Sequence, residues 1–248
     1  MLGRSANGVF WMSRYLERAE NTARLLDVGF RMAVTRGADA AQDEEWRSVL
    51  VTIGQDAAYR ARFDGYTGAQ VFNFILRDRD NPGSVLAMFD AARSNARAVR
   101  TSITREVWEA TNEGWLTLRE MMARPVRESN LIELLAAIRR QSTLVRGAIE
   151  ATQLRNGGWD FLNIGYYLER ADNTARLMDV KYYVLLPRAD FVGSGLDNYQ
   201  WTTLLRAMSA HRAFHWAYGG EVTAAKIADF LILNPQCPRS LMTCVCGV

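Results

Sequence analysis

Tyr15-Leu16-Glu17-Arg18-Ala19-Glu20-Asn21-Thr22-Ala23-Arg24-Leu25-Leu26-Asp27-Val28 returns 152 residues later as Tyr167-Leu168-Glu169-Arg170-Ala171-Asp172-Asn173-Thr174-Ala175-Arg176-Leu177-Met178-Asp179-Val180. Twelve of the fourteen positions are identical, and the two changes, Glu20/Asp172 and Leu26/Met178, are chemically mild. Weaker matches follow downstream: Trp46 and Leu50 with Trp201 and Leu205, then Phe74, Pro82 and Ser84 with Phe230, Pro238 and Ser240. A long-period self-match of this kind marks a repeated structural unit. Apolar residues recur at helical spacing throughout, and no segment alternates like a half-buried strand. The spacing predicts helices at roughly 8–35, 43–63, 67–78, 84–122, 129–154, 158–186, 197–218 and 221–233, with a stub from 239. Turn chemistry separates them at Asn81-Pro82-Gly83, Pro125, Asn156-Gly157-Gly158, Pro187, Gly193-Ser194-Gly195, Gly219-Gly220 and Pro235. The expected fold is therefore an all-α helical bundle.

Advancing 100° per residue gathers Tyr15, Ala19, Thr22, Ala23 and Leu26 with Leu16 on one face of the motif helix, where small alanines admit a close neighbour. Glu17, Glu20, Asn21, Arg24 and Asp27 share a second, polar sector. Three readings fit that stripe. It is a solvated face laced by i,i+3 and i,i+4 ion pairs, a buried ion-pair network locking the two motif helices together, or a ligand or catalytic site shared by both copies. The candidate residues are Glu17, Arg18, Glu20, Asn21, Arg24 and Asp27, with Glu169, Arg170, Asp172, Asn173, Arg176 and Asp179. In the catalytic version Glu17 and Glu169 act as acid-base groups while Arg24 and Arg176 hold a carboxylate or phosphate.

Other signals are thinner. The 30 basic and 27 acidic residues leave a net charge of +3, too small to argue a nucleic-acid or membrane surface. Twenty-eight of the basic residues are arginines, since Lys181 and Lys226 are the only lysines. No secretory signal or membrane-spanning run is present, so a cytoplasmic location is expected. Cys237, Cys244 and Cys246 lack the paired spacing of a zinc site. His211 and His215 stand four apart, as two ligands on one helix would, but Arg212 occupies the place of a zincin glutamate, so they are weak metal candidates. A di-iron bundle needs Glu-x-x-His motifs, which the sequence lacks. Phosphate-loop, dinucleotide and nucleophile-elbow patterns are missing too, and no metal or cofactor is expected. Arg93, Arg97 and Arg100 form a basic ridge running toward Arg105, Trp108 and Trp115. Glu106, Glu109, Glu113 and Glu120 on the same predicted helix argue for a mixed surface and against a nucleic-acid partner.

The two motif copies, with Phe10-Trp11-Met12-Ser13-Arg14 before the first, resemble the bacterial α-E domain family, a DUF403-type helical group named for its Glu-Arg dipeptide. The likeness continues through Ala92-Arg93-Ser94-Asn95-Ala96-Arg97 and Val107-Trp108-Glu109-Ala110 to about Ser240. The family motif maps onto Glu17-Arg18 and Glu169-Arg170. The resemblance implies an accessory role in peptide synthesis or peptide tagging, beside an ATP-grasp-type ligase and a transglutaminase-like peptidase. A non-catalytic scaffold or peptide-binding subunit is the first expectation, and an enzyme or amidoligase component the second.

The repeat also divides the chain. A first unit over 1–152 leaves 153–248 for the second, and the Ser84/Ser240 match places the end of the second unit early. Residues 88–152 then have no counterpart, so the 248 residues are expected to hold about one and a half units, shortened within the second.

Overall fold

The computed structural model describes residues 2–36, 41–183, 195–220 and 222–248. The described residues form twelve helices and no strand. They fall into two compact units, Met1–Glu169 and Arg170–Val248.

The first unit is organised around α1 (Gly3–Arg36), which packs against α2 (Ala41–Thr52), α4 (Gly68–Leu76), α5 (Val85–Ala98) and α7 (Glu128–Thr152). Short α3 (Asp56–Arg60) follows α2, and α6 (Arg105–Met121) packs between α5 and α7. Residues 19–29 of α1 are all buried, so this part of the helix is enclosed on every side although about half of its residues are polar. That arrangement is stable only if its polar groups find partners inside. The opening part of α8 (Gly157–Tyr183) belongs to the same unit. Gly165 is the point of closest approach: a Cβ there would sit 2.5 Å from the carbonyl oxygen of Phe10 on α1.

The second unit holds the rest of α8, then α9 (Gly195–Ala207), α10 (His211–Tyr218), α11 (Ala224–Ile232) and α12 (Leu241–Cys246). Its element bounds fall in register with the first unit. Helices α4 and α11 each have nine residues and start 156 apart, and α5 and α12 also start 156 apart, capped by Ser84 and Ser240. Both serines accept a backbone N–H three residues on, which satisfies one of the otherwise orphaned donors at a helix start. The packing matches as well. Tyr59 meets Phe74 edge to face at 5.2 Å, and Phe214 meets Phe230 edge to face at 5.5 Å. Trp46 and Leu50 are buried in one unit, Trp201 and Leu205 in the other.

The compact units divide at 169/170 where the sequence led to an expected boundary at 152/153, because residues 157–169 of α8 are bound to α1 by the approach at Gly165 and by the ion pairs described below. Three of the expected helices are broken. The segment 43–63 divides at Gly54, whose φ of +71° is a left-handed conformation that glycine adopts without strain. The segment 197–218 divides at the corresponding place, where Ser209 takes φ +56°. The segment 84–122 divides between α5 and α6, where Thr104 caps α6 and Gln153 pins the turn by donating to the Ser102 carbonyl and accepting from the Thr104 N–H. The expected helix end at 184–186 and the breaks at Pro187 and Gly193-Ser194 lie outside the described residues.

Candidate functional site

The polar stripe of the first motif copy lies inside the first unit. Glu17, Glu20, Asn21, Arg24 and Asp27 are all buried. Arg24 donates from Nε and Nη2 to a single oxygen of Glu20, at 2.9 and 2.7 Å, one helical turn away. Asp27 accepts from Arg31 Nε at 3.0 Å on one oxygen and from Arg139 Nη1 at 3.1 Å on the other. Because Arg139 is carried by α7, this pair ties α7 to α1, and the Ser142 hydroxyl adds a 3.3 Å bond to the Leu16 carbonyl. Burial in a low-dielectric setting makes such charges costly when alone and strongly held when paired.

Glu169, from the second copy, is a heavily engaged carboxylate of the same unit. It is 3% exposed, and four nitrogens reach it. Arg14 approaches one oxygen with Nε and Nη2, both at 2.8 Å. Arg18 lies across both oxygens, Nε at 2.6 Å and Nη2 at 2.8 Å, the fork-to-fork geometry that planar guanidinium and carboxylate groups favour. The Arg14 guanidinium also packs on the rings of Phe10 and Trp11, 5.6 and 5.0 Å from their centroids, which fixes its direction. Glutamate and arginine of the Glu-Arg dipeptide thus face each other across two helices: Arg18 from the first copy meets Glu169 from the second.

The remainder of the second copy lies in the second unit and is more open. Arg170 is buried and donates to the Pro238 carbonyl at 3.3 Å, and the buried Thr174 hydroxyl donates to the Arg239 carbonyl at 2.8 Å. Asp172 and Arg176 repeat the Glu20–Arg24 pair, but their side chains are 46% and 52% exposed where Glu20 and Arg24 are 8% and 11%. Asp179 is exposed, and Asn173 is half-buried with its Nδ2 unbonded. The two copies therefore have nearly the same residues in different surroundings.

A buried Glu-Arg network in a chain whose described residues form helices and no strand agrees with the sequence match, which runs over residues 1–248 to Alpha-E, "a predicted alpha-helical domain with a conserved ER motif". The chain belongs to the Alpha-E family. An uncharacterized protein of Mycobacterium bovis and uncharacterized proteins of two Mycobacterium tuberculosis strains are each 24% identical to it over 96% of its length. The chain spans 28% of the length of these relatives. No solved structure matches it.

Elsewhere in the Alpha-E chain, the rings of His211 and His215 stand 4.7 Å apart. Burial, reinforced by the neighbouring His215, Arg206 and Arg212, pushes the His211 pKa below its ordinary value. Among the described residues no group of three or more His, Cys, Asp or Glu side chains converges as a metal site would require. Cys237 and Cys244 are buried and Cys246 is exposed, with burial pushing the Cys237 thiol up. No helix among the described residues is long and apolar enough to cross a membrane. Open cavities of about 510 and 500 Å³ lie away from the motif, one beside Ser102 and Gly157, the other beside Phe63 and Arg77. Arg14 and Arg139 were not among the expected site residues. Arg14 precedes Arg18 by one helical turn on the same face, a spacing that could have revealed it.

Proposed function

We propose that this Alpha-E chain is a non-catalytic scaffold or binding subunit of a cytoplasmic peptide-synthesis or peptide-tagging system, built from a duplicated helical unit. Its partners are an ATP-grasp-type ligase and a transglutaminase-like peptidase, with a peptide as the ligand the assembly handles. The observation that carries the scaffold reading is the saturation of Glu169 by Arg14 and Arg18. A general base needs a lone pair open to the proton it removes, and both oxygens of Glu169 are already accepting from guanidinium groups. The anchoring roles of the enzyme reading are similarly occupied, with Arg24 turned onto Glu20 and Arg176 onto Asp172. Paired groups of this kind favour one helix arrangement over others more readily than they supply chemistry.

Affinity purification of the full chain from its native cell, with its gene-neighbour products present, tests the proposal. Retention of a ligase, with peptide bond formation that needs the ligase, is the expected result. A purified chain that transforms a peptide or amino acid unaided would overturn it.

A further inference from the structure

Helices α5 and α6 run antiparallel, since Arg93 of α5 lies on Trp115 late in α6 and Arg100, just past α5, lies on Trp108 early in α6. Their shared face carries guanidinium groups mounted on tryptophan rings. Arg93 and Arg119 both sit on Trp115, 4.4 and 4.5 Å from its centroid, and Arg100 sits 5.5 Å from that of Trp108. Arg93 is held further by a 2.7 Å bond from its Nε to Asn112. Arg97 lies exposed between Arg93 and Arg100 on the same side of the chain. Among the described residues none of Arg93, Arg97, Arg100 and Arg119 is paired with a carboxylate, whereas Arg105, at the start of α6, is paired with Glu109. The acids of α6 are turned away. Measured around the helix from Trp115, Trp108, Asn112 and Arg119 fall within about 60°, and Glu106, Glu109, Glu113 and Glu120 fall about 120–180° away. The single acidic residue of α5, Asp90, is exposed and stands one turn before Arg93, beyond the Trp115 station and away from Arg100, and no ion pair joins it to Arg93.

We propose that this α5–α6 face is a docking strip for an acidic, extended peptide segment of a partner protein. The inference concerns a surface apart from the Glu-Arg network and does not depend on the role proposed above. Guanidinium groups without a carboxylate partner that stand over aromatic rings keep N–H donors for the two-point binding of carboxylates. The two stations, Arg93 with Arg119 on Trp115 and Arg100 on Trp108, are seven helical residues apart, about 10 Å. A peptide extended in the polyproline II form advances about 9 Å per three-residue turn and presents the same face at every third residue, so glutamates at every third position would meet both stations in register. Single-stranded nucleic acid fits less well, because a ring already carrying two guanidinium groups is not the open platform on which successive bases stack.

Fluorescence anisotropy with the full chain tests this. The probes are a fluorescein-labelled peptide with glutamate at every third position, the same peptide with glutamine, and a labelled oligothymidylate of similar length. The glutamate peptide should bind, weaken as salt rises, and exceed the glutamine peptide by about tenfold or more in affinity. Arg97→Glu with Arg100→Glu, both at exposed positions, should reduce binding at least tenfold without moving Tm. Arg4→Glu with Arg140→Glu, an equal change in net charge at other exposed positions, should leave it within about twofold. Arg93→Gln probes the Trp115 station in the same way if its Tm is retained. Equal binding of the glutamine peptide, tighter binding of the oligonucleotide, no binding at low salt, or equal effects of the two charge-reversal pairs would each overturn the proposal.

Discussion

Replacing Glu169 by glutamine removes one negative charge and little volume from between Arg14 and Arg18. Breaking a buried ion pair by removing one partner costs roughly 3–5 kcal/mol. Here the arginine side chains keep 23% and 36% exposure, so water can take up part of the freed guanidinium surface, and glutamine still offers one carbonyl oxygen. We expect about 2–3 kcal/mol. For a unit of this size each kcal/mol moves Tm by roughly 2–4 °C, which gives a drop of about 4–12 °C. Asp172→Asn is the internal comparison. It disrupts the exposed Asp172–Arg176 pair, for which about 0.3–0.5 kcal/mol is usual, hence a shift of at most about 2 °C. Thermal and urea unfolding of the two variants at neutral pH make the measurement, and adding Arg18→Met completes a cycle that isolates the Arg18–Glu169 term. Equal, small shifts for both variants would refute the claim that burial of Glu169 makes its pairs structural.

Three further outcomes follow from particular side chains. Gly165→Ala should destabilise by about 2 kcal/mol or more, because the new methyl meets the Phe10 carbonyl oxygen, whereas Gly8→Ala meets a Val99 side-chain methyl that can move and should cost less; urea midpoints compare them. Ser84→Ala should lose about 1 kcal/mol in the same assay with its cap to the Ala87 N–H, and Ser240→Ala a similar amount with its cap to the Thr243 N–H. His211 has its folded-state pKa below the ordinary 6.5, so the folded chain disfavours its protonation and the unfolded chain takes up the proton first. Stability from this source is complete above about 6.5 and is lost as pH falls through the folded value. Tm should therefore decline from pH 8 to pH 5, and His211→Gln should flatten that decline.

Helical spacing identifies an all-α chain, and the repeated motif points to Glu17, Glu20, Arg24, Asp27 and Glu169, but not to Arg14 or Arg139, which complete their pairs. They could not say which copy of the motif is buried. Glu20 and Asp172 look alike in a helical projection, yet one is buried and the other faces outward. Enclosure is supplied by distant segments, and Arg139, which completes the Asp27 pair, is 112 residues from it in the chain. Arg14 was hidden for a different reason. Its repeat counterpart is Tyr166, so a search for symmetrical residues passes over it, and the clamp on Glu169 has no equivalent arginine at that place in the second copy. The break between α5 and α6 carries no glycine or proline. Thr101-Ser102-Ile103-Thr104 supplies it through hydroxyl capping and a long-range bond to Gln153, signals that local periodicity does not register. A single helix over 84–122 would place acids and bases on one surface; the break at 101–104 is what separates Arg93, Arg100 and Arg119 from the α6 glutamates.

The most direct test of the structural role of the Glu-Arg motif is the activity of the proposed peptide-forming system, reconstituted with the Glu17→Gln/Glu169→Gln chain and assayed well below the melting temperature of that variant. The account predicts a lowered Tm with activity retained within about twofold, since no transition-state interaction is removed. An unchanged Tm with activity lost would contradict it and would place the motif carboxylates in the chemistry.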